Sequence, residues 1–204
     1  MRPNILFPLF KPVTTLNGVG PRIGNLLEKL TGIRLINLLW HLPTGIIDRR
    51  YAPKVAEVRA GAVATITIRV LQHKRPSNKR LPYKVICSDN TGEMSLVFFR
   101  ANEKYLLKVL PEGETRVVSG RVDVFGVEVQ MSHPDHIGTL DELEKIKNVE
   151  PVYPLTSGLT LRVLRRAISN ALQVVPEIAE WADDTFILHQ GWKSWKQSLL
   201  AAHA

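Results

Sequence analysis

Five short stretches of period-two alternation, with one helical stretch between the third and the fourth, leave few folds open to this chain. Ala64, Ile66, Ile68 and Val70 alternate with Thr65, Thr67 and Arg69, the pattern of a half-buried strand. His73 to Pro82 breaks that pattern with basic, polar and proline residues and reads as a long loop. Tyr83 to Ser88 reads as a second strand and Asp89-Asn90-Thr91-Gly92 as a turn. Glu93 to Phe99 reads as a third strand. Asn102 then caps a helix carrying Leu106, Val109 and Leu110, which Pro111 ends. Val122 and Val124 belong to a fourth strand, Phe125-Gly126 to a turn, and Val127, Val129 and Met131 to a fifth.

Helix insertion at that one point is not generic, and the order is that of an OB-fold barrel. The predicted fold class is therefore α+β: a five-stranded OB-fold β-barrel flanked by N-terminal and C-terminal helical segments. Within residues 1–52, Gly18-Val19-Gly20-Pro21 turns the chain into a helix with proline at its first position. Ile23, Leu26, Leu27 and Leu30 follow at helical spacing and Gly32 closes that helix. Leu35, Ile36, Leu38 and Leu39 mark a second short helix before Pro43. Residues 53–140 hold the barrel. Residues 141–204 are helical again, with Leu161, Leu164, Ile168, Ala171, Leu172 and Val175 on one face and Pro176 as the stop. Trp192, Trp195 and Leu199, at i, i+3 and i+7, read as an apolar stripe seeking a partner surface, and the chain reads as cut soon after it.

Charge is distributed unevenly. From Arg49 to Lys84 ten basic residues stand against one acid, a net +9, so the rest of this +8 chain is close to neutral. Cations gathered in one stretch are the footprint expected for phosphate contact. Lys74, Arg75, Lys79 and Arg80 lie in the loop joining the first two strands, a ligand-facing loop of OB barrels, and Arg49 and Arg50 precede them. Such side chains would hold phosphates without reading sequence.

On the third strand Met94, Leu96 and Phe98 share one face, and Ser95, Val97 and Phe99 the other. If Met94 and Leu96 fill the barrel, Phe98 is core and Phe99 points outward. An outward aromatic beside a basic loop is a stacking platform for a base, and Tyr105, early in the following helix, could supply a second ring; the bland alternative packs Phe99 under the flanking helices. Gly18 and Gly20, with Arg22, open a helix whose amides could cradle one phosphate, as in a helix-hairpin-helix element.

Other chemistries find no footing. No Gly-Lys dipeptide occurs, so a Walker-type nucleotide loop is excluded, and neither a Ser-His-Asp nor a Cys-His arrangement is legible. This chain alone is read as non-enzymatic and without a cofactor. His133-Pro134-Asp135-His136 reads as a loop rather than a metal site, and Asp183-Asp184 as a turn or helix cap. The single Cys87 reads as buried filler in a reducing compartment. No apolar run approaches the ~20 residues of a membrane span.

These residues resemble a known family. Leu16-Asn17-Gly18-Val19-Gly20-Pro21-Arg22, His41-Leu42-Pro43 and Asp48-Arg49-Arg50 are similar to the opening of RecG-type ATP-dependent DNA helicases. Asp89-Asn90-Thr91-Gly92, Phe98-Phe99, Tyr105-Leu106 and Val118-Ser119-Gly120-Arg121-Val122 resemble the wedge domain of that family. Tyr153-Pro154-Leu155-Thr156-Ser157-Gly158-Leu159 and the segment from Trp192 to His203 resemble its approach to the motor. The resemblance implies binding of replication forks and Holliday junctions in DNA repair and recombination, with the wedge splitting strands at the branch point. It implies stacking by Phe99, with Phe98 and Tyr105 beside it. It also implies ATP and Mg²⁺ in helicase motor domains expected beyond Ala204, a monomer, and a bacterial, nucleoid-associated cytoplasmic location. Two alternatives stay open on the residues themselves: an RNA-binding OB module, and a protein-docking scaffold built on the tryptophan stripe.

Overall fold

The computed structural model describes residues 3–78, 81–126 and 128–204. In chain order the elements begin with α1 (Pro21–Leu30), α2 (Leu35–Leu39), β1 (Gly45–Asp48), β2 (Val63–Lys74), β3 (Tyr83–Ser88) and β4 (Glu93–Phe98). Then come α3 (Glu103–Val109), β5 (Thr115–Phe125), β6 (Glu128–Ser132), β7 (His136–Gly138), α4 (Leu143–Ile146) and β8 (Val149–Val152). The chain ends with α5 (Leu161–Leu172), α6 (Asp184–Gln190) and α7 (Trp195–Ala202). Contacts divide it into two units, residues 47–150 and residues 1–46 with 151–204. The N-terminal and C-terminal helical segments, expected as separate domains, thus share one unit, because Leu9, Leu27, Leu38 and Leu39 bury themselves against Leu164, Ile168 and Leu199.

The barrel unit is a closed five-stranded OB fold. Strand order is β2-β3-β4-β6-β5, and β5 returns to β2 to close the ring. β4 and β6 run parallel, with Met94 opposite Val129 and Leu96 opposite Met131; the other barrel pairings are antiparallel. β2 serves two partners. Its first half, Val63–Arg69, pairs with β5, and its second half, Arg69–Lys74, pairs with β3. A register shift between Val70 and Gln72 bends the strand and leaves Leu71 exposed, the usual device for turning a barrel corner. Ala64, Ile66, Ile68, Val85, Leu96, Val118 and Met131 fill the interior, as alternation requires. At Gly120 a Cβ would stand 3.1 Å from Met131 Sδ, so any side chain there would press on the methionine that fills the interior.

β2 is longer than its sequence pattern suggests and takes in His73 and Lys74, which composition assigns to the loop. His73 explains the extension. Its Nε2 lies 2.7 Å from the carbonyl of Leu110, which can only accept, so the proton sits there; Nδ1, 2.9 Å away, then accepts from the Tyr83 hydroxyl. That pair of bonds ties the end of β2 to β3 and to the end of α3. The Asp89 turn is equally well specified: its Oδ1 accepts from the amides of Thr91 and Gly92 and from the Thr91 hydroxyl, and its Oδ2 from the amide of Val55. Short β7 adds to the outside of β5 through Val117–Ser119.

In the helical unit, Pro21 occupies the first turn of α1 and Thr160 caps α5 by accepting from the Val163 amide. α5 stops at Leu172, earlier than Pro176 would require, because Val174 and Val175 turn back on tighter bonds to Ala171 and Leu172. The expected Trp192–Trp195–Leu199 stripe is also corrected. Ser194 caps α7, so Trp192 lies outside that helix and packs edge-on against Phe186 instead, while Leu199 is buried. Asp183 caps α6 by accepting from the Phe186 amide, as a helix-cap reading requires. His203 holds the end of α7 in place, bonding the Tyr153 hydroxyl through Nδ1 and the Leu39 carbonyl through Nε2 at 2.9 Å each. Among the described residues, no helix is long and apolar enough to cross a membrane.

Candidate nucleic-acid interface

β4 ends at Phe98, and the next three residues, Phe99-Arg100-Ala101, form an exposed ridge before Asn102 caps α3 through the Tyr105 amide. The pleat separates the two rings. Phe98 is 7% exposed and belongs to the barrel core, whereas Phe99 is 65% exposed. Phe98 thus shows only a ring edge to the clefts beside it and is a core residue first, which corrects its place among the stacking candidates; Phe99 is open to solvent.

Phe99 is held from behind. Its backbone amide donates to His133 Nε2 at 3.0 Å, and the His133 ring lies tilted against the Phe99 ring with centroids 5.7 Å apart. The same imidazole meets Phe98 edge-on at 5.8 Å. His133 itself is anchored by its amide, which donates to the Val97 carbonyl at 2.9 Å, and it adopts φ +46°. Among the described residues it is the one non-glycine with positive φ. Histidine is among the side chains that tolerate that region, at some cost. The sequence assigns His133 only to a loop with Pro134, Asp135 and His136, because nothing local links it to Phe99; its role arises from where the chain leaves β6 beside β4.

Two clefts flank the ridge. One, about 480 Å³, is lined by Arg75, Pro76, Leu81, Tyr83, Phe99, Arg100 and Glu103. The other, about 290 Å³, is lined by Arg100, Asn102, Tyr105, His133 and Asp135. Tyr105 is 56% exposed, so its ring is available in the second cleft. Arg100, which lines both, lies outside the basic segment picked out by charge counting; its signal is only its place directly after Phe99.

The cations of that segment do not form one surface. Arg49 is 2% exposed. Its guanidinium donates to Glu150 Oε2 at 2.9 Å, Asp135 Oδ2 at 3.0 Å and Ser119 Oγ at 3.2 Å. It is an internal strut and cannot be a phosphate ligand, a second correction. Arg50 is exposed but pairs through two nitrogens with Asp48. That guanidinium holds the Asp48 carboxyl down at about 2. Arg69 and Lys54 line a separate cleft of about 310 Å³, and Lys84 pairs with Glu128. Lys74 is exposed at the end of β2, and Arg75 beside it pairs with Glu103 across the larger cleft. Lys79 and Arg80 lie outside the described residues.

Gly18, Gly20 and Arg22 belong to the helical unit. Gly18 has φ +78° and Gly20 precedes α1 in extended conformation. The Arg166 guanidinium lies 3.5 Å from where a Gly18 Cβ would be, and Asn170 donates to the Asn17 carbonyl, so this turn packs on α5. Arg22 is exposed. Among the described residues no cluster of three or more His, Cys, Asp or Glu is placed to hold a metal ion. Cys87 is buried in the barrel, and burial pushes its thiol up to about 12, so it is not a nucleophile at neutral pH.

Residues 12–175 match the RecG wedge domain family. The chain belongs to that family. Its relatives include the ATP-dependent DNA helicase RecG of Pasteurella multocida (strain Pm70), 30% identical over 182 residues, covering 87% of this chain and 26% of that protein. The ATP-dependent DNA helicase RecG of Escherichia coli (strain K12) is 28% identical over 170 residues, covering 82% of this chain and 24% of that protein. The chain therefore spans about a quarter of the length of the curated relatives it matches. In the solved structure of RecG bound to a three-way DNA junction, 27% of that chain superposes on 96% of this one, with TM-score 0.82 and 20% identity. The wedge fold is thus shared across nearly the whole chain, and the ridge at Phe99 sits within the matched region.

Proposed function

We propose that this RecG wedge region binds branched DNA, such as replication forks and Holliday junctions, and parts the strands at the branch point. Phe99 stacks on a base there and the two clefts receive diverging strands. One observation carries the reading. An aromatic ring 65% exposed, fixed at its backbone, stands on a ridge between two clefts that share Arg100. An exposed ring fixed at its backbone beside an arginine suits a flat apolar partner, and every nucleobase offers one.

Each part has a separable role. Lys74, Arg75 and Arg100 meet phosphates, as do Lys79 and Arg80, which sets register and salt dependence but not sequence. Arg50 and the Gly18–Arg22 turn are lesser candidates for backbone contact. Tyr105 lines the smaller cleft and would take a second base. Preference for a junction over a duplex then comes from shape: a duplex has no unpaired base to offer the ring. ATP and Mg²⁺ would be used by motor segments of the kind its helicase relatives carry, in a monomer acting on DNA in the bacterial cytoplasm. This chain contributes the grip and the wedge.

A salt-titrated gel shift comparing a three-way fork with a linear duplex of equal length tests the proposal. The fork should bind more tightly at every salt concentration, and both affinities should fall steeply as salt rises. Equal affinity removes the junction claim. Binding indifferent to salt removes the phosphate contacts, and tighter binding to structured RNA in competition would transfer the site to a different nucleic acid.

A further inference from the structure

We infer that His133 is the positioning residue for Phe99, and that it works only while its Nε2 is unprotonated. The inference rests on the reading of Phe99 as the base-stacking ring. The Phe99 amide donates to Nε2 at 3.0 Å, so that nitrogen must present a lone pair and the ring proton must sit on Nδ1. A second proton converts Nε2 into a donor facing another donor. The bond is then replaced by repulsion, and the ridge loses its fixed point behind the stacking ring.

Three features separate this from incidental packing. His133 holds a left-handed backbone at φ +46°, a conformation that costs energy and persists where the surroundings enforce it. Its own amide is bonded to Val97, one strand residue before the aromatic pair, so both ends of the link are anchored in the barrel. Its ring contacts both Phe98 and Phe99, coupling the core ring to the exposed one. Neutral imidazole is thus built into the geometry at the point where DNA would arrive.

The ionisable groups facing the imidazole are Arg100 and Tyr105 across the smaller cleft and Asp135 two residues along, itself paired with Arg49. DNA phosphates would add negative charge. Protonation of His133 therefore has two opposite effects: it brings a cation toward phosphate and it frees the stacking ring. Affinity alone cannot separate them, so the stacking must be read directly.

A three-way fork carrying 2-aminopurine at the branch point supplies that readout, since stacking quenches its fluorescence. With the full 204-residue chain bound, quenching relative to free fork should be strong at the alkaline end of a pH series and fade toward the acid end, where Nε2 takes a proton. His133→Gln places an amide oxygen where Nε2 was and cannot titrate, so its quenching should stay flat across that series. His133→Asn tolerates the left-handed backbone but is too short to reach the amide. It should quench weakly throughout and bind fork about two- to tenfold less tightly at the alkaline end, the scale of one hydrogen bond.

Wild-type quenching that does not change with pH, or His133→Asn quenching equal to wild type, overturns the inference. An acid limb that persists unchanged in His133→Gln does so as well. Phe99→Ala distinguishes the two levels: quenching undiminished in that variant overturns the reading of the site, whereas quenching lost in Phe99→Ala but retained in His133→Asn overturns only the role of His133.

Discussion

Arg49 Nε donates to Glu150 Oε2 at 2.9 Å inside the barrel unit, joining the residues that precede β2 to the residues that begin β8. Ser119 and Asp135 complete the shell, and Thr65 bonds both the Arg49 carbonyl and the Ser119 hydroxyl. Removing the guanidinium would take its charge from Glu150, which also meets His136 at 3.0 Å, and from Asp135. Arg49→Ala should therefore cost about 3–5 kcal/mol of stability, the scale for breaking one side of a buried pair. Urea unfolding measures it. Arg49→Ala should leave the salt dependence of fork binding by the folded fraction unchanged, because a residue 2% exposed does not release counterions from DNA.

The pleat at the end of β4 gives two adjacent phenylalanines opposite assignments. Phe98→Ala should cost about 3–5 kcal/mol through the cavity it leaves in the barrel. Phe99→Ala should change stability by less than about 0.5 kcal/mol but weaken fork binding by about 1–3 kcal/mol. Denaturant titration and gel shift on both variants check the crossover. A Phe99→Ala protein that is destabilised yet binds normally would show that its ring packs rather than stacks.

Glu103 is the acid in the larger cleft, and its carboxylate holds Arg75. Phosphate arriving there must compete for the same guanidinium. Glu103→Gln frees Arg75 and removes a negative charge from the path of the DNA, so fork affinity should rise. The slope of log affinity against log salt should steepen by up to about 0.7–0.9, one phosphate's worth. Arg75 is largely solvated and Glu103 only part-buried, and Gln keeps the side chain's shape, so stability should change by less than about 1 kcal/mol.

Local pattern carried much of this structure. Alternation through Ala64–Val70 and Glu93–Phe98, the Asn102 cap and the Asp89 turn are each determined within a few residues, and the strand–helix order then leaves one closed topology. What stayed hidden is non-local. β1 and β8 are four-residue strands about a hundred residues apart, with no alternation to announce them. Arg49 resembled a phosphate ligand because charge counting cannot see Glu150, Asp135 and Ser119 converge on it. Phe99 was legible because a strand's two faces are fixed by parity, while its support from His133 depends on the neighbouring strand's register and on one left-handed residue.

Asp89 offers a prediction with a defined direction in pH. Burial opposes ionisation of its carboxyl, but hydrogen bonds from Thr91, Val55 and Gly92 together outweigh that effect and hold it below its ordinary 3.8. A carboxyl whose folded value is depressed stabilises the fold fully above the unfolded value. That contribution fades as pH falls through the folded one. Asp89→Ala should therefore cost about 1.5–3 kcal/mol near neutral pH, the scale for hydrogen bonds to a charged group. The gap from wild type should narrow only below about pH 4, where the unfolded chain begins to take up the proton first. Thermal melts of both proteins at a series of pH values measure that gap; a gap that is constant down to strong acid would mean that the turn needs the side chain's shape and not its charge.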